Sequence, residues 1–228
     1  MSTAHPQPSQ TNMPPLQAGD RLTAKEFLRR YEAMPELNKA ELVEGVVHMP
    51  SPVSATEHGE PHFDLVGWLF TYRVATPGVL GGDNTTIELD IGNVPQPDAH
   101  LRIVTESGQS HLNEKGYIVG GPELVAEVSA SSSSHDLQDK FQAYQRNHVS
   151  EYLVWRVPDK AVDWFVLQDG QYVRNEAQDG VVKSRAFPGL WLAVDALLQR
   201  DMKRVLEILR QGMESPEYGE FVDRMTNE

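Results

Sequence analysis

The segment GPELVAEVSASSSSHDLQDKFQAY, which begins at residue 121, most restricts how this chain can fold, because it places a charge inside each of two apolar patterns. Residues 123–129 alternate as a strand does, with three aliphatic side chains on one face and Glu127 on the other. If this strand is central in a sheet, both faces are covered and Glu127 is at least partly buried. A buried carboxylate is costly unless it is paired with a cation or binds a metal.

The second half of this segment has the pattern of an amphipathic helix. Leu137, Phe141 and Tyr144 follow the i, i+4, i+7 spacing of one helix face, and Lys140 lies on the same face. The ammonium group of Lys140 is therefore expected on the core side of the helix, or reaching along it. Glu127 and Lys140 leave adjacent elements, so they can meet above the end of the strand.

A third acid, Asp98, follows Pro97 at the start of a predicted strand over residues 98–104. Two carboxylates and a lysine from neighbouring elements suit magnesium-dependent hydrolysis of a phosphodiester. The metal lowers the pKa of bound water, and the lysine orients that water or stabilises the charged phosphate. The spacing alone leaves a second interpretation open, in which Glu127 and Lys140 form an ion pair with a structural role.

The remaining patterns predict a mixed α/β fold with a central mixed β-sheet flanked by helices and a β-meander extension. Thr23 and Glu26 form a capping box before a short helix, and Ser215 is expected to cap a helix near the end of the chain. We further expect a helix over 24–33, two strands around Glu44-Gly45, a long helix over 56–74, a helix over 135–147 and strands near 79–81, 85–90 and 151–157.

The length of 228 residues fits one domain with appendages. Residues 1–18 are rich in Pro, Gln, Ser and Thr and are expected to form a disordered tail. The main domain is then expected over 19–200, and a helical extension over 201–228.

Composition excludes several classes of protein. The net charge of −13 argues against a broad nucleic-acid coat, although acidic metal ligands leave a nuclease open. The absence of cysteine excludes disulfides, thiolate zinc sites and a cysteine nucleophile, and it suits a cytoplasmic protein. The sequence contains no run of about 18 apolar residues, which a membrane span would need. The N-terminal stretch also lacks the pattern of a secretory signal.

Several motifs occur together between about residues 20 and 200. They are LTAKEFLRRYEAMPE with AELVEGVVHMPSPVSATEH, the dipeptide Pro97-Asp98, the run GPELVAEVSASSSSHDLQDKFQAYQRNHVSEYLVW, and FPGLWLAVDALL. As a set they resemble the Uma-two family of restriction endonucleases, within the PD-(D/E)xK nuclease superfamily. The resemblance implies a restriction-endonuclease-like fold and metal-dependent cleavage of DNA.

The resemblance also implies a role for each matching residue. Asp98 and Glu127 would bind the metal, magnesium or alternatively manganese. Glu41 would be the early acid near the metal or its water, and Lys140 the catalytic lysine. The superfamily pattern puts this lysine two residues after the second acid, where this chain has Ser129, so the lysine is expected to come from the following helix.

Three further residues are expected near the site or in support of it: His58, Asp136 and Tyr144. The run EHGEPH around His58 is not a zinc motif, because its glutamate is misplaced and a proline interrupts the turn. The implied partners are DNA and a second copy of the chain, since two sites are needed to cut both strands. The alternative is an inactive protein that keeps the nuclease fold as a binding or assembly module.

Overall fold

The computed structural model describes residues 13–49, 52, 54–130 and 135–228, with the side chains of 135–137 left out. Its helices are α1 (Ala24–Tyr31), α2 (Glu60–Ala75), α3 (His135–Arg146), α4 (Val194–Leu198), α5 (Met202–Met213) and α6 (Pro216–Asn227), with a π-helix over Ala55–Gly59. Its strands are β1 (Glu41–Val43), β2 (Val46–His48), β3 (Val79–Gly82), β4 (Ile87–Glu88), β5 (Ala99–Ile103), β6 (His111–Leu112), β7 (Ile118–Val119), β8 (Leu124–Ser129), β9 (Glu151–Arg156), β10 (Ala161–Gln168), β11 (Gln171–Arg174), β12 (Val181–Lys183) and β13 (Trp191–Ala193).

The largest sheet has six strands in the order β11-β10-β9-β8-β5-β3. Strands β8 and β9 are parallel, and every other neighbouring pair in this sheet is antiparallel. The predicted mixed sheet is therefore confirmed. Strands β9, β10 and β11 form the predicted β-meander. They are the three consecutive strands at one edge of the six-stranded sheet. Within the described residues, no helix is long and apolar enough to cross a membrane.

Strand β8 lies inside the six-stranded sheet, between β9 and β5, and all six of its residues are buried. Leu124, Ala126 and Val128 pack into the main core with α2, α5 and α6. Val125 points to the opposite face and packs with Tyr144 of α3. The sheet thus lies between two layers of helices, and Glu127 lies on the α3 side with Val125.

The predicted helical extension over 201–228 is not separate from the domain. Helices α5 and α6 supply Val205, Leu209, Phe221 and Met225 to the main core. Ser215 accepts a hydrogen bond from the backbone N–H of Tyr218, which confirms the predicted cap of α6.

A smaller core joins α1 to the β1–β2 hairpin. Leu16 is buried there beside Phe27, Leu42 and Val47. Leu16 falls inside the segment assigned to the disordered tail, so the packed chain reaches further back than residue 19. Its side chain packs against residues of α1 and of the hairpin, which no local pattern of this segment indicates. Residues 1–12 of the predicted tail lie outside the described part of the chain.

Helix α2 and the π-helix before it confirm the long helix predicted over 56–74, and α2 carries apolar side chains on its exposed face as well as on its buried face. Phe63, Phe70 and Val74 are 78%, 58% and 61% exposed. The buried face instead carries Leu65, Trp68, Leu69 and Tyr72. Because both faces of this helix are apolar, periodicity could not decide which one packs on the sheet.

Candidate active site

One cavity of about 530 Å³ opens at the end of β8. Five of the seven residues singled out from the sequence line it, and they come from five separate elements of the chain. They are Glu41, His58, Asp98, Glu127 and Lys140. Tyr144 lies directly behind them, whereas the side chain of Asp136 is outside the described residues.

The ammonium group of Lys140 lies between two carboxylates. Its Nζ is 2.8 Å from Oε1 of Glu127 and 3.0 Å from Oε1 of Glu41. One turn further along α3, the hydroxyl of Tyr144 donates to the same Oε1 of Glu127 over 3.0 Å. Lys140 is only 8% exposed, so it points into the protein. A lysine on α3 therefore reaches the carboxylate on β8 although Ser129 stands at the superfamily position.

Asp98 immediately precedes β5, which pairs with β8 and so brings Asp98 beside Glu127. Its Oδ2 accepts a hydrogen bond of 2.8 Å from the backbone N–H of Val128 and is 3.2 Å from Nε2 of His58. Its Oδ1 is 3.6 Å from Nζ of Lys39. Asp98 is thus fixed on one side by the strand next to it and faces cations on the other.

Two histidines at the start of α2 contact Asp98. His58 lies in the π-helix and faces the carboxylate, and Nε2 of His62 is 2.8 Å from the backbone oxygen of Asp98. The hydrogen bond with Asp98 raises the pKa of His58. The two rings thus contact the same acid, His58 at its carboxylate and His62 at its backbone oxygen.

Asp98, just before β5, and Glu127, on β8, have pKa values shifted in opposite directions. Burial raises the pKa of Glu127 to about 7, and the nearby charges of Asp98 and Glu41 add to this, against the opposing effect of Lys140. Burial also raises the pKa of Asp98, but the hydrogen bond from His58 and the charge of Lys39 outweigh it and hold this pKa well below its usual range. The carboxylates around Lys140 raise its pKa despite its burial, so it stays charged.

Glu41 and α3 are held in place by contacts outside the cavity. Oε1 of Glu41 accepts a hydrogen bond of 2.6 Å from the backbone N–H of Gln96. Behind the hairpin, Nη2 of Arg146 at the end of α3 is 2.5 Å from Oε1 of Glu44 and 3.3 Å from Oδ2 of Asp90. The contact with Glu44 connects α3 to the turn of the β1–β2 hairpin, whose first strand carries Glu41, and the contact with Asp90 connects α3 to the loop after β4.

Sequence reasoning missed Lys39, which also lines the cavity. Its Nζ is 2.7 Å from Oδ1 of Asn84 as well as 3.6 Å from Asp98. The signal was present in Lys39-Ala40-Glu41, because alternate residues of an extended chain point the same way. The contact of His62 with Asp98 was missed as well, and its spacing of four from His58 is the signal that could have found it.

The donors in this cavity suit a hard divalent cation. Within the described residues, no group of three His, Asp or Glu side chains is placed to hold a metal ion. Magnesium does not need one, since it commonly takes one or two carboxylates and keeps several waters and a phosphate oxygen. Asp98 and Glu127 offer two carboxylates to the same cavity, so the residues present fit magnesium or manganese.

The cavity thus lies at one end of the central mixed sheet of an α/β protein, with carboxylates from β1, from β8 and from the residue before β5, and with a lysine from α3. A crystal structure from Anabaena variabilis, described as "a putative nuclease belonging to DUF820", has the same fold. Its TM-score to this chain is 0.58 at 15% identity, over 75% of this chain and 97% of that one.

The family model described as "Uma2: Putative restriction endonuclease" matches residues 24–195. The chain therefore belongs to the Uma2 family, which confirms the resemblance drawn from its motifs. Among curated proteins, none matches the chain.

Proposed function

We propose that this protein is a metal-dependent endonuclease that hydrolyses phosphodiester bonds in DNA. The observation that carries the proposal is the position of Lys140, whose ammonium group lies within 3.0 Å of both Glu41 and Glu127 in the cavity that Asp98 also lines. Membership of the Uma2 family and the fold shared with the Anabaena variabilis protein support a nuclease.

In this proposal, Asp98 and Glu127 hold a magnesium ion, with manganese as an alternative. The bound ion would lower the pKa of a coordinated water and offset charge on the phosphate. Asp98 is ionised at neutral pH because of its cationic neighbours, so it is ready to bind a cation. Glu127 has a pKa of about 7 and loses its proton near neutral pH.

Lys140 supplies the fixed positive charge next to the reacting phosphate. Glu41 and Glu127 hold its ammonium group in one place, so little reorganisation is needed when negative charge develops on the phosphate oxygens. Tyr144 donates to Glu127 and fixes that carboxylate from behind. Glu41 acts as a positioning acid for Lys140 in this arrangement.

A second function is favoured by one observation. Each acid of the cavity already has a cationic partner within the chain: Asp98 has Lys39 and His58, and Glu41 and Glu127 share Lys140. Such a network can be purely structural, and the net charge of −13 opposes DNA binding. The alternative is thus a binding or assembly module with an inactive nuclease fold.

We also propose that the enzyme acts as a homodimer in the cytoplasm. Two copies would bring the two sites that cutting both strands requires. Phe63, Phe70 and Val74 form an exposed apolar stripe on α2, and such stripes mark contact surfaces. The lack of cysteine fits a reducing compartment.

Cleavage of a covalently closed plasmid tests the proposed activity. Wild-type protein is incubated with magnesium, with manganese, or with EDTA, beside Asp98→Asn and the control Asp83→Asn, an exposed acid outside the cavity. The proposal expects cutting only with a divalent ion, its loss in Asp98→Asn and its retention in Asp83→Asn. Equal cutting by both variants would assign the activity to a contaminant or to another site.

A further inference from the structure

Lys39 is the second lysine of the cavity, and its surroundings differ from those of Lys140. Lys140 is buried between two carboxylates, with a side chain that is 10% exposed. The side chain of Lys39 is 29% exposed, and its Nζ contacts the neutral amide oxygen of Asn84 at 2.7 Å and a single carboxylate oxygen of Asp98 at 3.6 Å. Moving Lys39 away from its partners therefore costs less free energy than moving Lys140 from its two carboxylates.

The position of Lys39 conflicts with a metal ion at Asp98. Oδ2 of Asp98 already accepts the N–H of Val128 and faces His58, so Oδ1 is the oxygen that Lys39 meets. A divalent cation at this carboxylate would therefore lie within a few ångströms of an ammonium group. Two like charges at so short a distance repel each other, so the metal and the ammonium group compete for this carboxylate.

Three carboxylates line the cavity, and their negative charges would repel a phosphate of bound DNA. Lys140 shares its charge with the two acids that hold it, so it does not offset all three carboxylates. Among the described residues, Asp98 is the carboxylate that Lys39 contacts, and a metal that takes over Asp98 would leave the charge of Lys39 available for a phosphate oxygen. Its flexible stem of four carbons allows such a change of partner.

From these contacts we infer that Lys39 has two successive partners: the carboxylate of Asp98 in the metal-free protein, and a phosphate of DNA once a metal occupies Asp98. This inference rests on the proposed function, since it assigns one of the residues that bind the substrate of that site. It makes Lys39 both a competitor of the metal and a contact of the DNA.

The two roles predict changes of opposite sign in one variant. Lys39→Met should bind Mn²⁺ about tenfold more tightly, because a repelling charge is removed. The same variant should bind DNA more weakly, and the slope of log affinity against log salt should shrink by about 0.9, the value for one phosphate contact. A merely structural role of Lys39 would not raise one affinity while lowering the other.

Lys115→Met is the matched control. It makes the same change in formal charge, but Lys115 pairs with Glu32 at 2.6 Å and does not line the cavity. It should leave Mn²⁺ affinity and the salt slope unchanged. Lys39→Arg retains the charge and should keep the salt slope of the wild type, which separates loss of charge from loss of fold.

The experiment uses the full chain and measures binding, not cleavage. Mn²⁺ affinity is measured by calorimetry, and affinity for a labelled DNA duplex by fluorescence anisotropy in Ca²⁺ at several salt concentrations. Tighter Mn²⁺ binding with a smaller salt slope in Lys39→Met supports the inference. Weaker or equal Mn²⁺ binding, or an unchanged slope, overturns it.

The same measurements separate this inference from the proposed function. Wild-type protein that binds Mn²⁺ and DNA but cuts no plasmid overturns the proposed activity, while the Lys39 comparison still gives its own result. Wild-type protein that binds no DNA overturns both.

Discussion

Lys140 Nζ lies 2.8 Å from Oε1 of Glu127, although the two residues stand on different elements and are thirteen positions apart in the chain. Glu127 is in the central strand β8, and Lys140 is one turn before Tyr144 on the buried face of α3. Neither charge suits its apolar element alone. Together they neutralise each other inside the protein, which is the reason the segment can fold with both buried.

The first prediction concerns the stability of this pair. Lys140→Met leaves Glu127 and Glu41 buried without their cation, so unfolding in urea should show a loss of about 3–5 kcal/mol. Adding Glu127→Gln in the double variant removes one of these charges and should recover part of the loss. A double variant less stable than Lys140→Met would contradict the ion-pair account.

The second prediction concerns pH. Glu127 has a pKa of about 7 in the folded protein, above its ordinary value of 4.5, so the folded state keeps this proton to a higher pH than the unfolded chain does. Its contribution to stability is therefore favourable at low pH and is lost as pH rises from about 4.5 through 7. A metal ligand must be deprotonated, so Mn²⁺ affinity should instead rise between pH 6 and 8.

The control for the pH prediction is Glu127→Gln, which has no titrating group at this position. Calorimetry should show a weaker dependence of its Mn²⁺ affinity on pH than in the wild type. An affinity of the wild type that stays flat from pH 6 to 8 would mean that Glu127 is not the titrating ligand.

The third prediction compares two buried tyrosines whose rings are 5.0 Å apart. Tyr144→Phe removes a hydrogen bond to the carboxylate of Glu127 and should lower the free energy of unfolding by about 1.5–3 kcal/mol. The hydroxyl of Tyr152 is buried and has no hydrogen-bond partner among the described residues. Tyr152→Phe should therefore be neutral or stabilising in the same urea experiment, and an equal loss in both variants would argue against the assigned contact.

The fourth prediction tests whether α3 and the β1–β2 hairpin are held in register by Arg146. Arg146→Met removes its ion pairs with Glu44 and Asp90, which connect the two elements behind Lys140 and Glu41. We expect kcat to fall several-fold with little change in KM, while stability changes by less than about 1 kcal/mol, as for other surface pairs.

Arg174→Met is the control for Arg146, because its side chain is equally exposed at 51% and pairs with Asp163 on the meander. It should leave kcat unchanged. A similar fall in kcat for both arginines would indicate a general effect of lost surface charge on DNA binding.

The fifth prediction concerns the proposed dimer. Phe70→Glu places a charge in the apolar stripe of α2 and should convert the dimer into monomers in sedimentation velocity. Ile91→Glu is the control, since Ile91 is 79% exposed but lies in a loop between β4 and β5. A monomeric wild type would refute the homodimer.

Local patterns predicted much of the fold and of the site. The alternation in β8 placed Glu127 correctly, the helical spacing placed Lys140 and Tyr144, and Thr23 caps α1 as its capping box indicated. These features depend on residues near one another in the chain, where sequence is most informative.

The features that the sequence did not predict depend on contacts between residues that are far apart in the chain. The choice between the two apolar faces of α2 is made by the sheet beneath it. The burial of Leu16 depends on the hairpin around Val47, and the contact of Lys39 depends on where Asp98 lies after β5 joins β8. No local sequence pattern identifies these contact partners.

The most direct test of the account is the rate of plasmid cleavage in magnesium by wild type, Lys140→Met and Lys115→Met, each shown to be folded by circular dichroism. The account predicts that Lys140→Met loses cleavage by at least about a hundredfold, as expected for a charge that stabilises the transition state. Lys115→Met should cut at the rate of the wild type. Folded Lys140→Met that cuts as fast as the wild type would contradict the central claim that Lys140 is catalytic.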